Sequence, residues 1–220
     1  MLVRTWNLFH GNASPPERRA FLREMVELVT ADRPDVVCLQ ELPVWALSHL
    51  ERWSGMQAVS AVARRPRLFS AELGRWVTEL HHGLFRSALT GEADAILVGP
   101  GVALDDARMQ VVSDTGLRRI AHRVRLDGGL VVCNAHTTGI PEQLERIGDF
   151  VADANRVVVA GDLNIRSAAL DGFSGSLPGS IDQILVRGVS SSAPVAWSLE
   201  ERSYGNRVLS DHAPVELTLG

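Results

Sequence analysis

Short apolar runs, most of them ending in a polar residue, set the rhythm of this chain. LVRTW at 2–6 alternates as a strand does and stops at Asn7, where HGNASPP supplies turn residues. Ser14, Pro15, Pro16 and Glu17 read as a capping box with proline in the first helical turn. Phe21, Leu22, Met25, Leu28 and Val29 then recur at helical spacing, which predicts an amphipathic helix over about 15–31. Arg33-Pro34 ends it, because the residue before a proline is driven out of the helical region. DVVCLQ is a continuous apolar run of strand length, predicting a strand buried on both faces with Glu41 at its exit. The same periodicities predict a short helix across 43–53, a strand at 56–63 and a helix over 68–90.

From Ala93 onward the pattern turns to β runs: ADAILVG, RMQVVSD, RIAHRVRL and GLVVCNAH, separated by Gly, Pro and Asp turns such as Asp127-Gly128-Gly129. Consecutive hairpins are expected there. Pro141 opens another helix with Leu144, Ile147 and Val151 on one face, and VVVAG, IDQILV, APVAW and APVELTL complete the strands. SGSLPGS at 174–180 is a loop by composition. Two packed sheets flanked by helices, in one domain over 1–220, is the architecture these runs suggest.

Composition narrows the classes. An apolar fraction of 45% and a charged fraction of 22% are those of an ordinary folded domain. No stretch reaches the roughly 18 consecutive apolar residues of a membrane span, and no charged-then-apolar leader precedes LVRTW, so a cytoplasmic protein without an obligate protein partner is expected. Cys38 and Cys133 sit inside apolar runs and read as buried free thiols. A net charge of −4 argues against blanket electrostatic attraction to nucleic acid. It leaves room for a local basic groove, since Arg64, Arg65 and Arg67, like Arg118, Arg119, Arg123 and Arg125, are clustered and suit bidentate phosphate contacts.

The chemistry collects at strand ends. Asn7, Glu41, Asn134 with His136, and Asp162 with Asn164 each close a strand-like run, Asp182 opens one, and Asp211-His212 precedes the last. Residues two apart on a strand share a face, so Asn134 and His136 are expected to point into the same cleft as Asp162 and Asn164. Glu41, Asp162, Asp182 and Asp211 would repel one another without a cation, and such oxygen-rich donors suit Mg²⁺ or Mn²⁺ better than zinc. His10 follows TWNLF in the loop beside these residues and is a candidate for the same cleft. His49 and His122 read as structural, and His81 with His82, adjacent on a helix, diverge by about 100° and make a poor chelate.

These motifs together, TWN at 5–7, QE at 40–41, NAH at 134–136, GDLN at 161–164, IDQI at 181–184 and SDHAP at 210–214, resemble those of the endonuclease/exonuclease/phosphatase superfamily, in its order and over residues 3–219. The resemblance implies an α+β fold, a four-layer αββα sandwich of two mainly antiparallel sheets packed face to face. It further implies a Mg²⁺-dependent hydrolase of phosphate esters, with DNA or RNA as the leading substrate and a phosphomonoester or phospholipid as the alternative. By motif, Glu41, Asn7 and Asp211 fall in the metal site and His212 is the catalytic histidine, with Asp182 accepting from its second ring nitrogen. Asp162 and Asn164 position the attacking water, and His136 donates to the scissile phosphate. Arg118 or Arg119 is expected within reach of a phosphate. Two departures, Phe9 two places after Asn7 and His136 where apurinic endonucleases carry a tyrosine, favour the deoxyribonuclease-like and phosphatase- or sphingomyelinase-like branches.

Overall fold

The computed structural model describes residues 1–67, 71–80, 89–113 and 115–220. One sheet has six strands in the order β11 (Val195–Ala196), β14 (Val215–Thr218), β1 (Leu2–Asn7), β3 (Val36–Leu42), β5 (Glu92–Val98) and β4 (Gln57–Arg64). The other has five, β10 (Asp182–Arg187), β9 (Arg156–Asp162), β8 (Leu130–His136), β7 (Arg119–Leu126) and β6 (Leu104–Ser113). Only β1 with β3 and β8 with β9 pair parallel within these sheets. Each of those pairs is joined through a helix, as a parallel connection requires. A small third sheet joins β12 (Ser203–Tyr204), β13 (Arg207–Leu209) and β2 (Ala13–Ser14).

Alternation along the strands sorts the side chains into layers. Val3, Val36, Cys38, Ile96, Val98, Val124, Val132, Val158, Ile184 and Val215 pack between the two large sheets. The outer face of the six-stranded sheet, with Trp6, Val37 and Leu39, packs on α1 (Leu22–Val29), on the 3₁₀ turn Val44–His49 and on α2 (Leu50–Ser54). On the far side, Val131, Cys133, Val157 and Val159 pack on α4 (Pro141–Phe150) through Leu144 and Ile147. The result is the four-layer αββα sandwich. α1 works as predicted from its apolar stripe: Leu22, Met25, Val26 and Val29 are buried, each contributing about 1.5–3 kcal/mol by leaving water. Cys38 and Cys133 are buried and unpaired, as expected.

Two expectations need correction, and a third falls partly outside the described residues. The first helix starts at Leu22, not near 15, as Ala13 and Ser14 are taken into β2 by pairing with Leu209 and Val208. The strands from Ala93 are not all consecutive hairpins: β5 completes the first sheet between β3 and β4, and only β6, β7 and β8 form successive hairpins in the second. Of the helix expected over 68–90, the described parts, α3 (Ala71–Leu80) and residues 89–90, are helical, while 68–70 and 81–88, with His81 and His82, lie outside the described residues.

One regularity of the strands gathers polar side chains at a single end of the sandwich. Along the inward faces, side chains change from apolar to polar toward one end of the sandwich: Val3, Thr5, Asn7 on β1; Val36, Cys38, Gln40 on β3; Val98, Ile96, Asp94, Glu92 on β5; Val132, Asn134, His136 on β8; Val158, Ala160, Asp162 on β9; and Val186, Ile184, Asp182 on β10. Directly below the polar rim, Gln40 Nε2 donates to Thr5 Oγ1 (2.9 Å) and to Asn134 Oδ1 (2.7 Å), while Asn134 Nδ2 donates to the Leu39 and Ala95 carbonyls (both 2.9 Å), tying one sheet to the other.

Candidate active site

The polar rim is assembled by strand ends. Asp162 stands at its centre. Its Oδ1 accepts the backbone N–H of Asn164 (3.0 Å), and its Oδ2 accepts Asn7 Nδ2 (3.0 Å). The same Oδ2 lies 3.6 Å from His136 Nε2 and 3.8 Å from His212 Nε2. Asn164, at a positive φ of 50°, donates its side-chain amide to the Thr137 carbonyl (2.9 Å), so it fixes Asp162 from the loop side. The glycine before Asp162 is required: a Cβ on Gly161, whose φ is 145°, would stand 1.9 Å from the Ala135 carbonyl oxygen of the neighbouring strand.

Two imidazole–carboxylate pairs flank Asp162. His212 presents Nδ1 to both oxygens of Asp182 at 3.0 Å, leaving Nε2 toward Asp162 and toward Asp211 Oδ1, 3.8 Å away. Burial alone would push the His212 imidazolium down, but the hydrogen bond and charge of Asp182, with the charges of Asp162 and Asp211, outweigh it and raise it to about 9. Asp182 itself is raised by burial, with His212 opposing. His136 mirrors this arrangement. Its Nδ1 lies 3.5 Å from Glu92 Oε1, and its Nε2 faces Glu41 Oε1 at 3.8 Å as well as Asp162. Burial would lower His136, yet Glu92, Asp162 and Glu41 together raise it against the opposing charge of Arg119. As an imidazolium its Nδ1–H points at Glu92, and Arg119 then holds that carboxylate rather than the ring.

Glu41 sits where β3 bulges between Leu39 and Leu42, at a positive φ of 56°, so its carboxylate leaves the sheet and reaches the rim. His10 Nε2 lies 3.6 Å from Glu41 Oε2, placing that histidine at the site as expected. Asp211 is the exposed member, its side chain 59% accessible. Asn7 is fully buried, its Oδ1 accepting the Phe9 N–H (2.9 Å). All the expected residues therefore converge at one edge, with one change of role: Asn134 shares the face of His136 but lies a level lower and is consumed by the tie between sheets. Of the two arginines, Arg119 reaches the site beside His136, while Arg118 donates to the Ala63 carbonyl (3.2 Å). His122 is buried and sits apart, as a structural residue should.

Sequence reasoning missed Glu92 and Asp94. Burial would raise Glu92, but the His136 contact and the Arg119 charge bring it down to about 2, and Arg64 adds a second guanidinium (3.1 Å). Asp94 is buried on the inward face of β5, its carboxyl raised by that burial to about 7; it accepts from the backbone of Glu41, and its Oδ1 has no partner among the described residues. The signal was present: two acids at alternate positions open an otherwise apolar strand, which puts both on its inward face.

The donor set suits a hard divalent cation. Glu41, Asp162 and Asp211 offer carboxylate oxygens around two imidazoles, and oxygen ligands favour Mg²⁺ or Mn²⁺. Among the described residues, donor atoms of Asp162, Asp182 and His212 all lie within 4.8 Å of one another. Asp182 is already committed to His212 Nδ1, which leaves Asp162 as the open carboxylate of that trio.

Comparison with known proteins agrees with this geometry. A family profile described as "Endonuclease/Exonuclease/phosphatase family" matches residues 5–212. No curated protein matches in sequence. Among solved structures, a functionally unknown conserved protein from Enterococcus faecalis V583 superposes with a TM-score of 0.75 at 18% identity, covering 100% of this chain and 99% of that one. D. rerio TDP2 complexed with single strand DNA product gives 0.71 at 15% identity, covering 100% and 98%. Mannosyl-6-phosphatase Bt3783 of Bacteroides thetaiotaomicron VPI-5482 gives 0.65 at 16% identity, covering 100% and 99%. At these identities the likeness is one of fold.

Proposed function

The chain belongs to the endonuclease/exonuclease/phosphatase family, and from that premise we propose that it is a Mg²⁺-dependent phosphodiesterase acting on nucleic acid. The observation that carries this reading is the convergence on Asp162 of two imidazoles, each backed by its own carboxylate. Glu41 and Asp211, with Asn7 beside them, are the residues that would hold the cation. Mg²⁺ there supplies Lewis-acid stabilisation of charge on the phosphoryl and leaving oxygens.

Asp162 and His212 jointly activate water. The water oxygen bonds to phosphorus as its proton passes to that pair, and the ester P–O bond breaks with the electron pair leaving on oxygen. Asp182 holds the His212 tautomer that leaves Nε2 facing the site, the support an acid–base imidazole needs. His136, braced by Glu92, donates to a phosphoryl oxygen as negative charge develops there. Asp211, one of the charges that raise His212, would be shared with a cation, and sharing it would lessen that rise.

Nucleic acid is favoured by the arginines around the rim and by the single-strand DNA product carried by the TDP2 structure of the same fold. A phosphatase reading has support of its own in the mannosyl-6-phosphatase of that fold, since the reacting groups would be the same and only the cleft walls would differ. No helix among the described residues is long and apolar enough to cross a membrane, and a cytoplasmic location is part of this proposal. The test is a panel of plasmid DNA, oligonucleotides, RNA, sugar phosphates and sphingomyelin with Mg²⁺, Mn²⁺ or EDTA. Cleavage of nucleic acid that EDTA stops, and that Asp162→Ala and His212→Ala each abolish in folded protein, is expected. Turnover of sugar phosphates alone would replace this reading with the phosphatase one.

A further inference from the structure

On the outer helical layer of the six-stranded sheet, a cavity of about 160 Å³ is lined by Trp45, His49 and Trp53 together with Arg23, Arg52 and Arg75. The three rings form one cluster, with centroids 5.1 Å apart for His49 and Trp53, 5.9 Å for Trp45 and His49, and 6.3 Å for the two tryptophans. All three are half-buried, and Arg75 lies 6.0 Å from the Trp45 ring centre. Among the described residues no acidic side chain lines this cavity, although the chain as a whole carries a net charge of −4. Arg23 is engaged by Glu27 (2.7 Å), whereas Arg52 has no ion-pair partner among the described residues.

Two of the cavity's walls follow closely, along the chain, on segments that carry site residues. Trp45 follows Glu41 by four residues on the segment leaving β3. Ala20 and Leu22, which form another wall, pack against Gly11 in the loop that carries His10. Flat rings beside the exposed guanidinium of Arg52 match a ligand that has an aromatic face and adjacent negative charge.

We propose that this pocket takes a base of a single-stranded nucleic acid, stacked on the Trp45–His49–Trp53 cluster, with Arg52 on a flanking phosphate. A strand whose scissile phosphate lies at Asp162 then passes over the His10 and Pro43 loops to reach it. The inference rests on the nucleic-acid reading above and deepens it: unpaired substrates are preferred, because a base inside a duplex has no free face to offer.

Binding of fluorescein-labelled (dT)₈ is measured by polarisation in EDTA, where nothing is cleaved, for the parent chain, Arg52→Glu and Trp53→Leu. The expected result is a dissociation constant at least about fivefold weaker in each variant, on the scale of one lost stack or phosphate contact, with hydrolysis of bis(p-nitrophenyl) phosphate unchanged. Trp53 touches the core, so Arg52→Glu, fully on the surface, keeps the test decisive if the tryptophan variant misfolds. Unchanged (dT)₈ affinity in Arg52→Glu overturns the proposal, as does full competition by inorganic phosphate at the concentration of the oligonucleotide, which would make the pocket an anion site only. If nucleic acid is bound through these residues but never cut, the assigned activity fails while the pocket stands. If DNA is cut with the same KM by parent and Arg52→Glu, the pocket fails and the activity stands.

Discussion

His122 gives the sharpest physical test of the sandwich itself. It occupies the inward face of β7, next to Val124, is 2% exposed, and has an Nε2 with no hydrogen-bond partner among the described residues. Burial alone pushes its imidazolium from the ordinary 6.5 down to about 3. The folded protein thus refuses a proton that the unfolded chain accepts once the pH falls below 6.5. Stability associated with this group is complete above that pH and is lost on acidification down to the folded value. Each pH unit in that window costs about 1.4 kcal/mol, so roughly 2 kcal/mol is gone by pH 5 and about 5 kcal/mol at the limit. His122→Leu, which has no proton to bind, removes this dependence. Urea unfolding of both proteins from pH 7.5 to 4.5, with EDTA throughout so that no metal linkage enters, gives the difference between them. That difference should move in favour of the leucine variant by about 2 kcal/mol between pH 7.5 and pH 5. Parallel stability curves would show that His122 is protonated or solvated in the folded state, and the reasoning from burial would be wrong.

Three other outcomes are expected. Asp182→Asn removes the charge that does most to raise His212, so the His212 titration followed by NMR in EDTA should shift to lower pH from about 9, with turnover reduced by about 10²-fold or more; an unmoved titration refutes the pairing. Gly161→Ala must push the β8 and β9 backbones apart, and a loss above about 3 kcal/mol in urea unfolding is expected; a stability within about 0.5 kcal/mol of the parent, the ordinary size of a surface effect, would mean the strands separate freely. Asn134→Leu breaks three buried hydrogen bonds between the sheets, costing about 2–4 kcal/mol by unfolding and leaving any activity tied to the remaining folded fraction.

The sequence made the site's members legible because the strand ends were legible: an apolar run that stops at a polar residue says where the core stops. What it could not supply was direction and height. Glu92 and Asp94 open β5 rather than close it, and they join the site only because β5 runs antiparallel to β3, a pairing no local pattern reveals. Asn134 was assigned to the right face by its spacing from His136, yet a two-residue period says nothing of depth, and one step down the strand the same face belongs to the sheet–sheet tie. The first helix shows the opposite failure. Ser14 and Glu17 carry a good local capping signal, overridden by the pairing of residues 13 and 14 with β13, a partner nearly two hundred positions away.

The inward faces that turn from apolar to polar along six strands have a thermal consequence. The reacting groups stand on the uppermost rung of the same ladder whose lower rungs hold the two sheets together, and the Thr5–Gln40–Asn134 rung joins them. Heating cannot loosen that top rung without disturbing the rung beneath, so inactivation and melting should arrive as a single event rather than activity fading first.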